Sequence, residues 1–251
     1  MRNNLTINDH KKLLKDLGQQ KYNKEILSRY EKLKSSNAVN FTFKDAKGIL
    51  YALKDNYAVK DSVVSASTRI LESHNPRYNS TVYKLLKNKD FNPLFISNMD
   101  ELAMGGKGIY SKRKPVQNSF DKKLISGGSS SGSAFLVGSN IVPFAIGSDT
   151  GDSVIKPSAL NRIIGFKPTW SSVSRYGLYD YSPAFDHVGW FTNNVDDSIL
   201  LANDLIKKDN RDQSNTEHPI KKFSSDKSKI KKVAVIKDLE KFITDSDIRK
   251  N

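Results

Sequence analysis

Two short loops rich in glycine and serine hold the residues best suited to chemistry. The first is Gly127-Gly128-Ser129-Ser130-Ser131-Gly132-Ser133 and the second is Gly147-Ser148-Asp149-Thr150-Gly151-Asp152-Ser153, with Ser129 and Ser153 24 positions apart. Glycine lets a backbone turn tightly and present N–H groups to a bound anion. A serine hydroxyl becomes a nucleophile once a neighbouring base takes its proton. That base need not be histidine. Lys54 ends the run Leu50-Tyr51-Ala52-Leu53, and a lysine among apolar residues loses its proton more readily than one in water. The combination implies acyl transfer by serine without a catalytic histidine.

Narrower motifs compete for the same residues. Gly128-Ser129-Ser130-Ser131-Gly132 fits a G-x-S-x-G nucleophile elbow centred on Ser130. An elbow requires a strand just before it, and Asp121 to Ser126 is a poor strand; no convincing acid partner accompanies His187 or His218. Ser153-Val154-Ile155-Lys156 fits S-x-x-K, but its companion motifs S-D-N and K-T-G are missing. No G-x-x-x-x-G-K-[ST] phosphate loop occurs. Each loop taken alone is also compatible with a flexible Gly/Ser turn.

The surrounding elements must position these loops. Residues Thr6 to Leu33 have apolar residues at helical spacing and read as helix, broken near Gly18. Val39 to Phe43 and Gly48 to Leu53 read as strands, the second ending at Lys54. Thr81 to Leu86 is expected to be helical, and Pro93 to Ile96 a short strand. Gly105 to Ser126 reads as a long loop. A helix is expected from Ser133 to Val137, and a buried strand from Ile141 to Ile146 delivers the second serine loop. Ile163 to Phe166 and Val188 to Phe191 are core pieces. Asp196 to Ile206 is a helix with acidic residues at its start and lysines beyond its end. Residues 207–232 read as a polar linker, followed by a strand at Val233 to Ile236. Strands alternating with helices point to an α/β fold whose loops at strand ends carry the site.

Composition limits the classes of function. The 251 residues suffice for a substantial core, with 37% hydrophobic and 10% aromatic residues. The net charge of +14 favours polyanions, but the lysines are scattered and form no dense basic arm. There is no cysteine, which removes thiolate catalysis and disulfides. His10, His74, His187 and His218 lack ligand spacing, so no metal site is expected. With no signal-peptide core and no apolar window long enough to span a bilayer, the expectation is a cytoplasmic protein without a membrane partner.

Taken in order, the motifs resemble the amidase signature family. The resemblance rests on both serine loops, on Gly165-Phe166-Lys167-Pro168-Thr169 and Val173-Ser174-Arg175-Tyr176-Gly177, and on Ala52-Leu53-Lys54-Asp55-Asn56 upstream. Asn98-Met99-Asp100-Glu101-Leu102-Ala103-Met104-Gly105 is similar to one branch, the A subunits of the amidotransferases acting on glutamyl-tRNA(Gln) or aspartyl-tRNA(Asn). The resemblance implies an α/β amidase signature fold with a mixed sheet flanked by helices. It implies a Ser-cisSer-Lys triad with Ser153 as nucleophile, Ser129 as the bridging serine after a cis peptide, and Lys54 as base. It implies an oxyanion hole of backbone N–H groups from Thr150, Gly151, Asp152 and Ser153. The implied activity is glutamine hydrolysis supplying ammonia. The implied partners are B and C subunits in a heterotrimer, with charged tRNA reached through the complex. No cofactor is implied for this chain; the partner B subunit uses ATP and magnesium. Two alternatives remain open, a general amidase on another carboxamide and a non-catalytic scaffold for the other subunits.

The sequence departs from the family at several places. Asp152 and Ser131 stand where glycine is usual. The family's Ser-Ile-Arg-Gln-Pro becomes Ser153-Val154-Ile155-Lys156-Pro157, which loses an arginine and gains a lysine, and Gly106 to Ser126 diverges. An inward Asp152 carboxylate would oppose the oxyanion. Family members are nearly twice as long, so residues 1–251 are expected to be one partial domain, with a helical segment at 1–37, lacking the C-terminal part that carries the glutamine-binding groups.

Overall fold

Thr6 opens the first helix with a capping box: its hydroxyl accepts the Asp9 N–H, and the Asp9 carboxylate accepts the Thr6 N–H. The computed structural model describes residues 5–220, 222–225, 241–244 and 246. Helix α1 spans Ile7–Leu17 and α2 spans Gln19–Glu31, parted at Gly18, whose φ of 72° is a conformation that suits glycine. The following elements are β1 Val39–Thr42, β2 Ile49–Lys54, α3 Thr81–Lys87, β3 Phe91–Ser97, α4 Ser131–Gly138, β4 Phe144–Asp149, α5 Ile155–Asn161, β5 Ile164–Phe166, β6 His187–Thr192 and α6 Val195–Leu205. The strand expected from Val233 to Ile236, and the part of the linker at 226–232, lie outside the described residues.

Among the described residues, six strands form one mixed sheet in the order β1-β3-β2-β4-β6-β5. β2 lies parallel to both β3 and β4, while β1–β3, β4–β6 and β5–β6 are antiparallel. The central strand β2 is buried along its whole length, which explains its continuous apolar sequence. Its side chains alternate between the two faces. Leu50 and Ala52 join Tyr22, Ile26, Leu136 and Val154 in one core layer. Tyr51 and Leu53 join Phe144, Trp190 and Leu201 in the other. Continuing the alternation puts Lys54 on the Leu50 face, where α4 packs.

Helix α5 was not expected from the sequence. It is short, and Pro157 and the preceding glycines and serines resemble a loop. Proline is tolerated there because it falls in the first turn, where its missing N–H has no partner to lose. The helix start is capped from a distance: the Asp149 carboxylate accepts the N–H groups of Val154 at 2.5 Å and Ile155 at 3.3 Å. Beyond α6 the chain has no regular structure over residues 207–216, yet it is held to the body. Asp209 accepts the hydroxyl of Ser174 at 2.8 Å, Asp212 accepts the Arg175 N–H at 2.7 Å, and Asn215 is buried with its amide on the Ser171 carbonyl.

Candidate active site

Lys54 is completely buried at the C-terminal end of β2. Its Nζ lies 2.7 Å from Ser129 Oγ, 2.9 Å from Ser148 Oγ and 3.2 Å from the Ser148 carbonyl oxygen. Burial lowers the Lys54 pKa from its ordinary value to about 7, although Asp149, Asp100 and Asp186 pull the other way. A fraction of the chain therefore carries a neutral amine at neutral pH, and a neutral amine can accept a proton.

Ser129 sits just before α4 and is also fully buried. The Gly128–Ser129 peptide is cis. The Ser129 carbonyl accepts the Asp100 N–H at 3.1 Å, and the Asp100 carboxylate gathers the N–H groups of Gly108 at 3.0 Å and Tyr110 at 2.8 Å. A β-carbon on Gly128 would fall 2.0 Å from Asp100 Oδ2, so the close approach of that carboxylate requires glycine.

Backbone contacts join the second loop to the first. The Ser130 N–H donates to the Ser153 carbonyl at 3.3 Å, and the Ser130 hydroxyl donates to the Ser148 carbonyl at 3.1 Å. Ser153 is 7% exposed, and no hydrogen bond links its hydroxyl to another described residue. Lys54 and Ser129 are thus in direct contact, and the Ser153 backbone is joined to Ser130, the residue that follows Ser129. The N–H groups of Thr150, Gly151, Asp152 and Ser153 donate to no acceptor among the described residues. Four adjacent free donors, next to a buried serine and a lysine of depressed pKa, form an arrangement able to receive an oxyanion.

Asp149 organises this loop. It is buried, it caps α5, and its other oxygen pairs with Lys167 Nζ at 2.8 Å. Lys167 also donates to the Gly151 carbonyl at 3.2 Å. The Thr150 hydroxyl donates to Asp186 at 2.5 Å. Asp152 turns away from this network: its carboxylate pairs with Lys156 Nζ. Its backbone is not in the left-handed region, which explains why a residue with a β-carbon fits. Ser131 begins α4 with its hydroxyl buried and without a hydrogen-bond partner among the described residues.

The competing motifs find no support in this geometry. Ser130 hydrogen-bonds a carbonyl and no imidazole; His187 Nδ1 lies 2.6 Å from the Phe185 carbonyl oxygen. Lys156 meets Asp152 and not Ser153. Sequence reasoning assigned no role to Ser148, Asn56, Asp100, Asp149 or Lys167, although all five lie within the motifs it singled out. Asn56 donates to Ser148 Oγ at 3.0 Å and so belongs to the Lys54 network. The signal for these residues was a polar type at the end of an otherwise apolar strand.

The chain belongs to the amidase family: the family's Amidase profile matches residues 18–251. Its fold is that of the amidase signature enzymes. It is 44% identical over 171 residues to the A subunit of glutamyl-tRNA(Gln) amidotransferase from Mycoplasma pneumoniae, covering 68% of this chain and 36% of that protein. It is 39% identical over 198 residues to the protein of the same name from Mycoplasma genitalium, covering 79% and 39%. The crystal structure of the corresponding A subunit from Thermotoga maritima superposes with a TM-score of 0.81 at 30% identity, over 88% of this chain and 50% of that one. The peptide amidase of Stenotrophomonas maltophilia gives a TM-score of 0.73 at 25% identity, over 78% and 46%. The chain therefore spans half or less of the length of each of these relatives.

Proposed function

We propose that this chain is the glutamine-hydrolysing part of a tRNA-dependent amidotransferase. The observation that carries this reading is the contact between buried Lys54 and Ser129 beside Ser153, in a chain resembling proteins named as the A subunit of that enzyme. Ser153 Oγ attacks the carboxamide carbon of glutamine, its proton passes to Ser129, and the Ser129 proton passes to neutral Lys54. The N–H groups of Thr150, Gly151, Asp152 and Ser153 stabilise the oxyanion, an effect of about 3 kcal/mol for a well-placed donor. As the tetrahedral intermediate collapses, the proton returns through Ser129 to the leaving nitrogen, ammonia departs, and a glutamyl ester remains on Ser153. Water then hydrolyses the ester by the same relay and glutamate leaves.

The ammonia would pass to a B subunit, which uses ATP and magnesium to activate the acyl group on Glu-tRNA(Gln) or Asp-tRNA(Asn), with a C subunit completing a cytoplasmic heterotrimer. Ammonia release from glutamine, measured with the chain and its partner subunits together, tests the reading. The parent is expected to release ammonia and Ser153→Ala to release none. Equal release by the two, or assembly of the subunits without any release, would replace the enzyme with a scaffold. Hydrolysis of other carboxamides in the absence of the partners would favour a general amidase, a reading that the likeness to the peptide amidase also supports.

A further inference from the structure

The second loop carries a carboxylate beside its serine. Asp152 immediately precedes Ser153, and a negative charge facing the Ser153 hydroxyl would oppose the oxyanion formed there. The carboxylate is instead engaged elsewhere. Its Oδ2 pairs with Lys156 Nζ one helical turn on, and the Asp152 carbonyl accepts the Lys156 N–H at 2.8 Å. The side chains of Asp152 and Lys156 are 50% and 40% exposed, so the pair lies at the rim of the site and adds little to stability. The loop following β3 closes against it. A β-carbon on Gly106 would lie 2.9 Å from Lys156 Nζ and 3.9 Å from Asp152 Oδ1, so the ion pair packs directly against this glycine.

We propose that Lys156 is a positioning residue for Ser153: it holds the Asp152 carboxylate at the rim of the loop and cancels its charge, leaving the N–H groups of residues 150–153 free to receive an oxyanion. This rests on Ser153 being the nucleophile. Residues 152 and 156 then act as a unit, and the effect of losing Lys156 depends on the presence of Asp152.

The test uses the full chain and an alkyl fluorophosphonate. In the labelling reaction the Ser153 oxygen bonds to phosphorus, the P–F bond breaks and fluoride leaves, while the hydroxyl proton passes to Ser129. Adducts are quantified by mass spectrometry, and thermal unfolding verifies that each variant is folded. Lys156→Gln is expected to slow Ser153 labelling about tenfold, the scale of one uncancelled charge at a partly exposed site. The same change on an Asp152→Gly background is expected to alter the rate by less than about twofold. Lys156→Arg, which keeps the charge, should restore most of the rate. Unchanged labelling in Lys156→Gln, or equal slowing on both backgrounds, overturns the proposal alone. Labelling that persists undiminished in Ser153→Ala, or no labelling of the parent, overturns the nucleophile assignment and the proposal with it.

Discussion

Ser148 takes two of the three contacts made by Lys54 Nζ, one through its hydroxyl at 2.9 Å and one through its carbonyl at 3.2 Å. A neutral amine has two N–H groups and one lone pair. If both N–H groups point to Ser148, the lone pair faces Ser129 Oγ at 2.7 Å. Asn56 donates to the same Ser148 oxygen and fixes its orientation. Removing the hydroxyl lets the amine rotate. Ser148→Ala is therefore expected to slow Ser153 reactivity about tenfold, a part of the roughly 100- to 10,000-fold that a positioned proton acceptor contributes, whereas Ser148→Thr keeps most of it. Fluorophosphonate labelling rates on folded protein provide the comparison, and parental reactivity in Ser148→Ala would remove Ser148 from the relay.

The depressed pKa of Lys54 fixes a pH dependence. With Lys54 as the proposed proton acceptor, the neutral amine is the active form, so reactivity is expected to rise with pH through about 7 and then level off. An ordinary lysine would place the rise above about pH 10. A rate–pH profile of Ser153 labelling measures this directly. A profile flat between about pH 6 and about pH 9 would contradict Lys54 as the proton acceptor.

Asp149 ties the second serine loop to α5 and to Lys167. Asp149→Asn removes a buried charge whose two oxygens are both engaged and leaves the partly exposed Lys167 without its carboxylate. A loss of about 2 kcal/mol is expected, the usual scale for hydrogen bonds made to a charged acceptor. Urea unfolding would show it as a lower midpoint at unchanged slope. A midpoint within experimental error of the parent would mean that Asp149 does not anchor the loop.

His10 links pH to stability at the other end of the molecule. It is fully buried, its Nδ1 lies 2.9 Å from the Tyr22 hydroxyl, and Nε2 has no partner among the described residues. Burial, reinforced by Arg29, lowers its pKa to about 4. The unfolded chain binds a proton near the ordinary value of 6.5, so the stability from this group is complete above that value and is lost as pH falls towards 4. The full difference is about 3 kcal/mol. Urea midpoints at several pH values should fall across this window in the parent and fall less in His10→Leu. Identical pH dependence in both would exclude His10.

Much of this architecture was legible in the residues themselves. The apolar run from Leu50 to Leu53 marked a buried strand with Lys54 at its end, while the split of its side chains between two core layers emerges only from the fold. The apolar runs marked β2, β3, β4 and β6 because buried strands need them, and Gly18 marked the break between α1 and α2. Helix α5 was hidden because its cap comes from Asp149, five residues ahead of Val154, and local patterning does not register a cap at that distance. The outward turn of Asp152 was hidden for a related reason. Its partner Lys156 is a helical neighbour only once α5 is known to exist. The sequence 207–216 reads as a linker by polarity, yet Asp209, Asp212 and Asn215 are bonded to Thr81, Ser171, Ser174 and Arg175. Those contacts span long stretches of chain and leave no local signature.

The claim that Ser153 is the nucleophile, activated by Lys54, is tested most directly by mapping the phosphonyl adduct residue by residue. The expected result is an adduct on Ser153 in the parent that disappears in Lys54→Met on folded protein at neutral pH. An adduct on Ser130 or Ser129 instead, or undiminished labelling of Ser153 in Lys54→Met, would contradict it.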